Sequence, residues 1–367
     1  MRSIWRPILD RITPYEAGKS IEALEQELGV DALVRLSANE SPLGPSAHVV
    51  AAIRREAPHG HLYPDGGSTA LRQALAKRLG VSPEQVMAGN GADELLSLIA
   101  IAALEAGDEV VIPRPSFEPY TTAVLLAGAS LRESPLAGYE TDLDDMRRRV
   151  GPRTKAVIIC SPHNPAGTIV RRQPLLALLD ALGPDGPLVV LDEAYRDFCD
   201  DPEYPDGVEL LGRYRPLIVL RTFSKIAGLA GLRVGYAVAE AETIERLNHV
   251  RAPYNVNRLG QVAAVAALED EAHWARTRRV VIEERAFLSA ELGRRGYGVP
   301  PSQANFLLVR LPDADAARAR LLRAGLIVRD GAAVGFPGHL RIAVGTREVN
   351  HRLLAALDAQ SPDRGNR

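Results

Sequence analysis

A chain of 367 residues is too long for one compact core and implies roughly two or three units of ordinary size. Hydrophobic residues at 46% and charged residues at 25% give the balance of a globular protein, which excludes a disordered chain. A formal net charge of -2 supplies no field for nucleic acid or an anionic membrane, so a bound anion must be caught by a local site.

The opening MRSIWRPILDR lacks the apolar core of a signal peptide, and no apolar stretch reaches bilayer length, so the expected location is the cytoplasm. Residues 1–30 hold one amphipathic helix, expected over 20–28. That is too little to fold alone and reads as an arm packed on the C-terminal unit or on a partner subunit. Residues 31–255 read as a large α/β domain. Strands are expected at 109–112, 156–160, 188–191, 217–220 and 234–238, with helices such as 69–79, 92–104 and 174–182 between them. Near-continuous apolar strands separated by helices imply a mostly parallel sheet sandwiched by helices. In such sheets ligands collect beyond the carboxyl ends of the strands. Residues 256–367 change character. A long linking helix is expected over 258–294, then a strand at 305–309, a helix at 314–324, a strand at 341–344 and a final helix. This is a smaller α+β domain.

Residue counts narrow the chemistry. Cys160 and Cys199 cannot form a disulfide scaffold, and neither has metal-ligand spacing, so no metal is expected. There are four lysines, Lys19, Lys77, Lys155 and Lys225, against forty arginines, so a reaction needing a lysine amine has few candidates.

Lys225 follows an apolar strand in PLIVLRTFSKIAGLAGLRVG, at the rim of the sheet, where an amine can form an imine with an aldehyde. Thr222, Ser224 and Arg233 lie close enough in sequence to hold a phosphate, Arg233 through two parallel hydrogen bonds. In LVVLDEAY the strand delivers Asp192 to the sheet edge, where a desolvated carboxylate demands a cation such as a protonated pyridine nitrogen. A ring so protonated is the electron sink needed beside an imine. In AVIICSPHNPAGT a turn presents Asn164, which with Tyr195 could donate to a phenolic oxygen. AGNGADEL opens a helix whose free N–H groups, around Ala92 and Asp93, form an anion site that Gly89 and Gly91 let a phosphate approach. Each piece alone has a plainer reading: a solvated lysine, an Asp192 that caps a helix starting near Glu193, an ordinary Asn-Pro turn, a lone glycine turn.

Taken in this order, the four pieces resemble the fold-type-I aminotransferases of the aspartate aminotransferase superfamily, and more closely the histidinol-phosphate aminotransferase branch. The resemblance runs from about residue 14 to 347 and includes TPYEAGK, LSANESPLGPS, YPDGG, PYNVNRLGQ, GLIVRD and LRIAVGTRE. It implies an aspartate aminotransferase-like fold and pyridoxal 5'-phosphate as cofactor. Lys225 would then be the Schiff-base lysine, Asp192 the partner of the pyridine nitrogen, and Asn164 and Tyr195 the partners of the ring oxygen. Lys225, Asp192 and Tyr195 would be the catalytic set. The phosphate would rest on the Ala92 and Asp93 backbone, Ser224 and Arg233. Tyr63 of YPDGG would reach the cofactor phosphate of a neighbouring subunit, which implies a homodimer with shared active sites. Phe117 stands where the family stacks an aromatic ring on the cofactor, commonly tyrosine. Asn39, Arg329, Arg341 and Tyr15 match substrate-binding positions. A departure is Ala17, where the family more often has proline.

The implied reaction moves the amino group of L-histidinol phosphate to 2-oxoglutarate. Alternatives on the same machinery are an aromatic amino-acid aminotransferase and a decarboxylase of a phosphorylated amino acid. From another class, a catalytically silent ligand-binding protein could use the same fold.

Overall fold

The apolar, β-branched runs around 154–160, 188–192 and 217–222 lie side by side at the centre of one sheet. The structure is a computed structural model and describes residues 4–14, 20–29 and 32–359. In chain order the strands are β1 (Val34–Arg35), β2 (Val86–Gly89), β3 (Glu109–Arg114), β4 (Ser130–Pro135), β5 (Thr154–Cys160) and β6 (Leu188–Asp192). They continue with β7 (Leu217–Thr222), β8 (Gly235–Ala239), β9 (Phe306–Arg310), β10 (Leu326–Ile327), β11 (Arg329–Asp330) and β12 (His339–Ala343). The α-helices begin with α1 (Ile21–Leu28), α2 (Ala47–Glu56), α3 (Thr69–Leu79), α4 (Ala92–Ala103), α5 (Glu118–Leu126) and α6 (Leu143–Arg149). They end with α7 (Arg172–Leu182), α8 (Ala241–Asn248), α9 (Arg258–Glu269), α10 (Glu271–Arg294), α11 (Ala314–Arg323) and α12 (Arg347–Asp358).

The main sheet has seven strands in the order β2-β8-β7-β6-β5-β3-β4. It is mostly parallel, with β8 antiparallel to both of its neighbours. Alternation along each strand feeds two cores. Val157 and Ile159 of β5, Val189 and Leu191 of β6, and Leu217 and Val219 of β7 pack on one face with α2, α3, α6, α7 and α9. Ile158, Val190, Ile218 and Leu220 pack on the other face with α4, α5 and α8. Burying each such side chain contributes about 1.5–3 kcal/mol, so the central strands cannot slip register by one residue without exchanging both cores.

Edge strands escaped the sequence reading for a physical reason. β4 carries Ser130, Arg132, Glu133 and Pro135 on exposed or half-exposed positions, so no apolar run marks it. β2 is only four residues long, although all four are buried.

The C-terminal unit is a three-stranded antiparallel sheet, β11-β12-β9, packed on α10, α11 and α12. Leu36 shares its core, and β1 pairs in parallel with β10, Val34 opposite Leu326. The segment after the arm is thus stitched into the C-terminal unit before the chain enters the main sheet. The helix expected over 20–28 is α1, with Ser20 as its cap accepting from the Ala23 N–H at 3.2 Å.

The single helix expected over 258–294 is two helices. Asp270 leaves helical geometry (φ −97°, ψ 68°), and its carboxylate caps α10 by accepting from the His273 N–H at 3.0 Å. The break redirects the chain: Ala263, Ala264 and Ala267 of α9 face the main sheet, whereas Leu288 and Leu292 of α10 enter the C-terminal core. Among the described residues no helix is long and apolar enough to cross a membrane.

Asp270→Ala should remove the cap and destabilise the fold by about 1 kcal/mol, read as a lower urea midpoint with an unchanged slope. A midpoint equal to wild type would show that packing alone sets the break.

Candidate active site

The carboxyl ends of β5, β6 and β7 and the N-terminus of α4 converge on one cavity of about 240 Å³. Each supplies a different kind of group. The loop after β7 carries Lys225, whose Nζ donates to the Ala38 carbonyl at 3.1 Å and stands 5.6 Å from the centre of the Tyr195 ring. Burial, with the Arg341 charge adding to it, brings this amine down to about 8. Part of the population is therefore unprotonated and nucleophilic near neutral pH.

Asp192 closes β6, opposite Cys160 on one side and Leu220 on the other, and is 3% exposed. Oδ2 accepts from the Tyr120 hydroxyl at 2.6 Å and Oδ1 from the Ala194 N–H at 3.0 Å. Burial pushes its carboxyl up to about 6 in spite of these two hydrogen bonds. Among the described residues it has no ion-pair partner. The bond to Ala194 is a tight local turn, and the next helical element is a short 3-10 turn at Arg196–Phe198, so Asp192 caps no helix at Glu193.

Tyr195 is buried, and its hydroxyl accepts from the Asn39 amide at 3.1 Å and, more weakly, from the Asn164 amide at 3.4 Å. Asn164 is held in this orientation because its Oδ1 accepts from Arg341 Nη1 at 2.7 Å. Asn39 sits in a left-handed conformation (φ 54°), and its carbonyl accepts from Asn305 at 3.0 Å. Burial moves the Tyr195 phenol upward, so it is a neutral hydroxyl at working pH.

The anion cradle is built at α4. Gly91 is its N-cap, with φ 82° and no side-chain cap, which leaves the Ala92 and Asp93 N–H groups facing the cavity mouth. A Cβ on Gly91 would lie 2.5 Å from Arg233 Nη2, so only glycine lets that guanidinium close over the helix end. Arg233 also pairs with Asp93 at 3.0 Å. Across the cradle the Ser224 hydroxyl and N–H are ordered by Thr222 Oγ1, at 3.0 Å and 3.1 Å.

Phe117 precedes α5 and forms a wall between this cavity and a second one of about 450 Å³. The second cavity is lined by Arg329 and Arg341, which face each other in register across β11 and β12. Arg341 is anchored on the Ser37 carbonyl at 2.6 Å as well as on Asn164. Thr13 and Pro14 of the arm reach this wall, while Tyr15 and Ala17 lie outside the described residues. Tyr63 is not brought to either cavity; it is 78% exposed and stacks on Tyr254 at 4.7 Å. Among the described residues no cluster of histidine, cysteine or acidic groups could hold a metal.

Residues 31–357 match the family model for aminotransferases of class I and II. The histidinol-phosphate aminotransferase of Anaeromyxobacter sp. (strain Fw109-5) is 46% identical over 355 residues, 96% of this chain and 97% of that protein. The histidinol-phosphate aminotransferase of Caldicellulosiruptor saccharolyticus is 39% identical, over 96% of this chain and 99% of its own length. The solved histidinol-phosphate aminotransferase from Sinorhizobium meliloti, in complex with pyridoxal-5'-phosphate, superposes with a TM-score of 0.88 at 31% identity, covering 97% of this chain and 96% of that one. The chain belongs to the class I and II aminotransferases, in the histidinol-phosphate aminotransferase branch.

Pyridoxal phosphate is the cofactor of this aminotransferase, and the residues present fit it. A buried carboxylate without a protein cation suits a pyridine nitrogen, an open helix end suits a phosphate, and an amine brought down to about 8 suits an aldehyde. Tyr120 was not singled out from sequence. The available signal was a tyrosine three residues after Phe117, in the first turn of a helix expected to pack on the sheet, where a buried hydroxyl needs a partner.

Keeping Asp192 ionised at neutral pH, when burial holds its carboxyl near 6 instead of 3.8, costs the fold about 3 kcal/mol. The folded value lies above the unfolded one, so the cost is absent below about pH 4 and complete above about pH 6. Cofactor-free Asp192→Asn should therefore melt at a higher temperature than wild type at neutral pH, with the gap closing on acidification. Calorimetry showing a lower melting temperature at neutral pH would contradict this.

Proposed function

We propose that this enzyme transfers the amino group of L-histidinol phosphate to 2-oxoglutarate, giving imidazole-acetol phosphate and L-glutamate, a step of histidine biosynthesis. The observation that carries the reading is the pair Arg329 and Arg341, in register on the wall of the cavity that opens past Phe117 towards Lys225. Two guanidinium groups facing a dianionic phosphate at about 4 Å interact by roughly 4 kcal/mol each at a partly exposed site. Burying a benzene ring in the same place contributes about 2 kcal/mol. The names of the relatives point the same way. The second reading, an aromatic amino-acid aminotransferase, stays in view because the same two arginines also suit the second carboxylate of glutamate.

The bound cofactor supplies an aldehyde carbon conjugated to an electron-withdrawing pyridinium ring. Lys225 Nζ would be the amine that holds this aldehyde carbon, and once free it would be the base and acid for the proton on the substrate carbon that bears nitrogen. Asp192 would keep the ring nitrogen protonated, Asn164 and Tyr195 would hydrogen-bond the ring oxygen, and Phe117 would cover the ring. The Ala92 and Asp93 N–H groups, Ser224 and Arg233 would hold the cofactor phosphate. Arg329 and Arg341, with Tyr15, would hold the substrate's phosphate, and Asn39 would orient the substrate beside them.

The assembly belonging to this reading is a homodimer in which Tyr63 serves the partner's cofactor phosphate. The exposed Leu62, Tyr63 and Tyr254 support such a contact surface. The free thiols Cys160 and Cys199 suit a reducing compartment, the cytoplasm. Sedimentation of the holoenzyme at twice the chain mass is expected, and a single-chain mass would remove the shared site.

Half-reactions on the yellow enzyme test the substrate. Histidinol phosphate and glutamate should each convert the cofactor absorbance rapidly, with phenylalanine slow. Arg329→Ala should slow histidinol phosphate about a hundredfold at subsaturating concentration and phenylalanine far less, by loss of one charge-assisted contact. Fast conversion by phenylalanine and none by histidinol phosphate would keep the chemistry and move the enzyme to aromatic substrates.

A further inference from the structure

Asp192 is gripped by a residue to which none of the steps above assigns a task. Tyr120 lies in the first turn of α5, is 0% exposed, and donates its hydroxyl to Asp192 Oδ2 at 2.6 Å. Its ring is fixed edge-on by Phe117, with centroids 5.5 Å apart and planes at 81°. The other carboxylate oxygen takes the Ala194 N–H. Both donors are neutral and rigidly placed. A carboxylate offers about four acceptor sites, so two remain for the cavity.

The choice of a phenol at this point has a physical logic. A bare buried carboxylate takes up a proton, and a neutral acid cannot hold a pyridinium. A lysine or arginine there would neutralise the carboxylate and compete with the ring nitrogen. A phenol stabilises the anion by one charge-assisted hydrogen bond and leaves its charge available. The groups facing Asp192 from the packed elements would otherwise favour its neutral form: the Asp93 charge on α4 and the Glu193 charge beside it raise its carboxyl, and Cys160 of β5 brings only a thiol. Burial and the neighbouring carboxylate push the Tyr120 phenol well above its ordinary value, so it remains a donor across the working pH range.

We propose that Tyr120 is a positioning residue that acts through Asp192 and sets how firmly that carboxylate holds the protonated ring nitrogen of the cofactor. The proposal rests on the reading in which Lys225 and Asp192 hold pyridoxal phosphate. A residue that merely fills α5's core would be replaced by phenylalanine at no cost to the cofactor.

The test is Tyr120→Phe in the holoenzyme without substrate, read by the pH midpoint of the visible absorbance change and by pyridoxal phosphate rebinding to cofactor-free protein. A less firmly protonated ring withdraws less charge, so the Lys225 nitrogen keeps its proton to higher pH. The midpoint is expected to move up, and the dissociation constant to rise about tenfold, the scale of one hydrogen bond to a charged group. In an Asp192→Asn background, which lacks the charge, the same substitution should move neither quantity further. Site-specific 3-fluorotyrosine at position 120 is a more acidic, stronger donor and should move the midpoint down; it decides the matter if Tyr120→Phe does not fold. The proposal is overturned by a midpoint and affinity equal to wild type, by an equal effect in the Asp192→Asn background, or by an unmoved midpoint with fluorotyrosine. A wild-type protein that binds pyridoxal phosphate with no visible band fells the underlying reading as well, so the wild-type spectrum separates the two failures.

Discussion

An ionised carboxylate without a cation, buried at the end of the central strand, is the constraint from which the rest of this molecule follows. Asp192 is 3% exposed, flanked by β5 and β7 and packed under Tyr120 of α5, and it opens only towards the cavity. Among the described residues it receives hydrogen bonds and no ion pair. That arrangement is unfavourable for folding and favourable for holding a cationic ring, which is how strain concentrates at a working site. The placement is also why the sheet must be parallel here: parallel β5, β6 and β7 deliver Asn164, Asp192 and Lys225 to the same end.

Behind Asp192 stands a second buried charge, and it is treated in the opposite way. Glu193 is paired with Arg221 at 2.7 Å, and Arg221 also meets Asp206 at 2.5 Å, which in turn binds Arg196 at 2.6 Å. The Gly207 N–H donates to the remaining Glu193 oxygen at 2.8 Å. Such a network contributes little net stability, since desolvation offsets its Coulomb attraction. Its effect is geometric. It ties β6, β7 and the loop at 206–207 together on the face away from the cavity, so the neighbouring Asp192 and Thr222 face it from a rigid frame. Two adjacent acidic residues thus receive opposite environments, one neutralised by arginines and one left charged.

The wall of the second cavity depends on contacts between the two units. Arg341 belongs to the C-terminal sheet yet is anchored on Ser37 and Asn164, and Asn305 holds the Asn39 carbonyl from the same side. Glycines permit the close approach: a Cβ on Gly335 would meet Pro115 at 2.3 Å, and one on Gly167 would meet Ser302 at 2.3 Å. Movement of one unit on the other would therefore act on Asn164 and Tyr195 directly.

Sequence alone determined most element types, the parallel character of the sheet and the candidate reactive groups that one cavity gathers. Those properties are written in local patterns: apolar runs, a strand followed by Asp or Lys, glycines before a helix, and a lysine count that left little choice. It could not show the edge strand β4, whose residues are polar because one side meets solvent, or the break at Asp270, which the packing of α9 and α10 on different cores requires. The partner of Asp192 was also out of reach. Tyr120 and Asp192 are 72 residues apart, and only the stacking of α5 over β6 brings a hydroxyl to that carboxylate. Arg329 and Arg341 were legible as charges, but their facing one another is a matter of strand register. Chemistry was local and readable; distance, burial and pairing arise from contacts between segments remote in sequence, and these the tertiary structure decided.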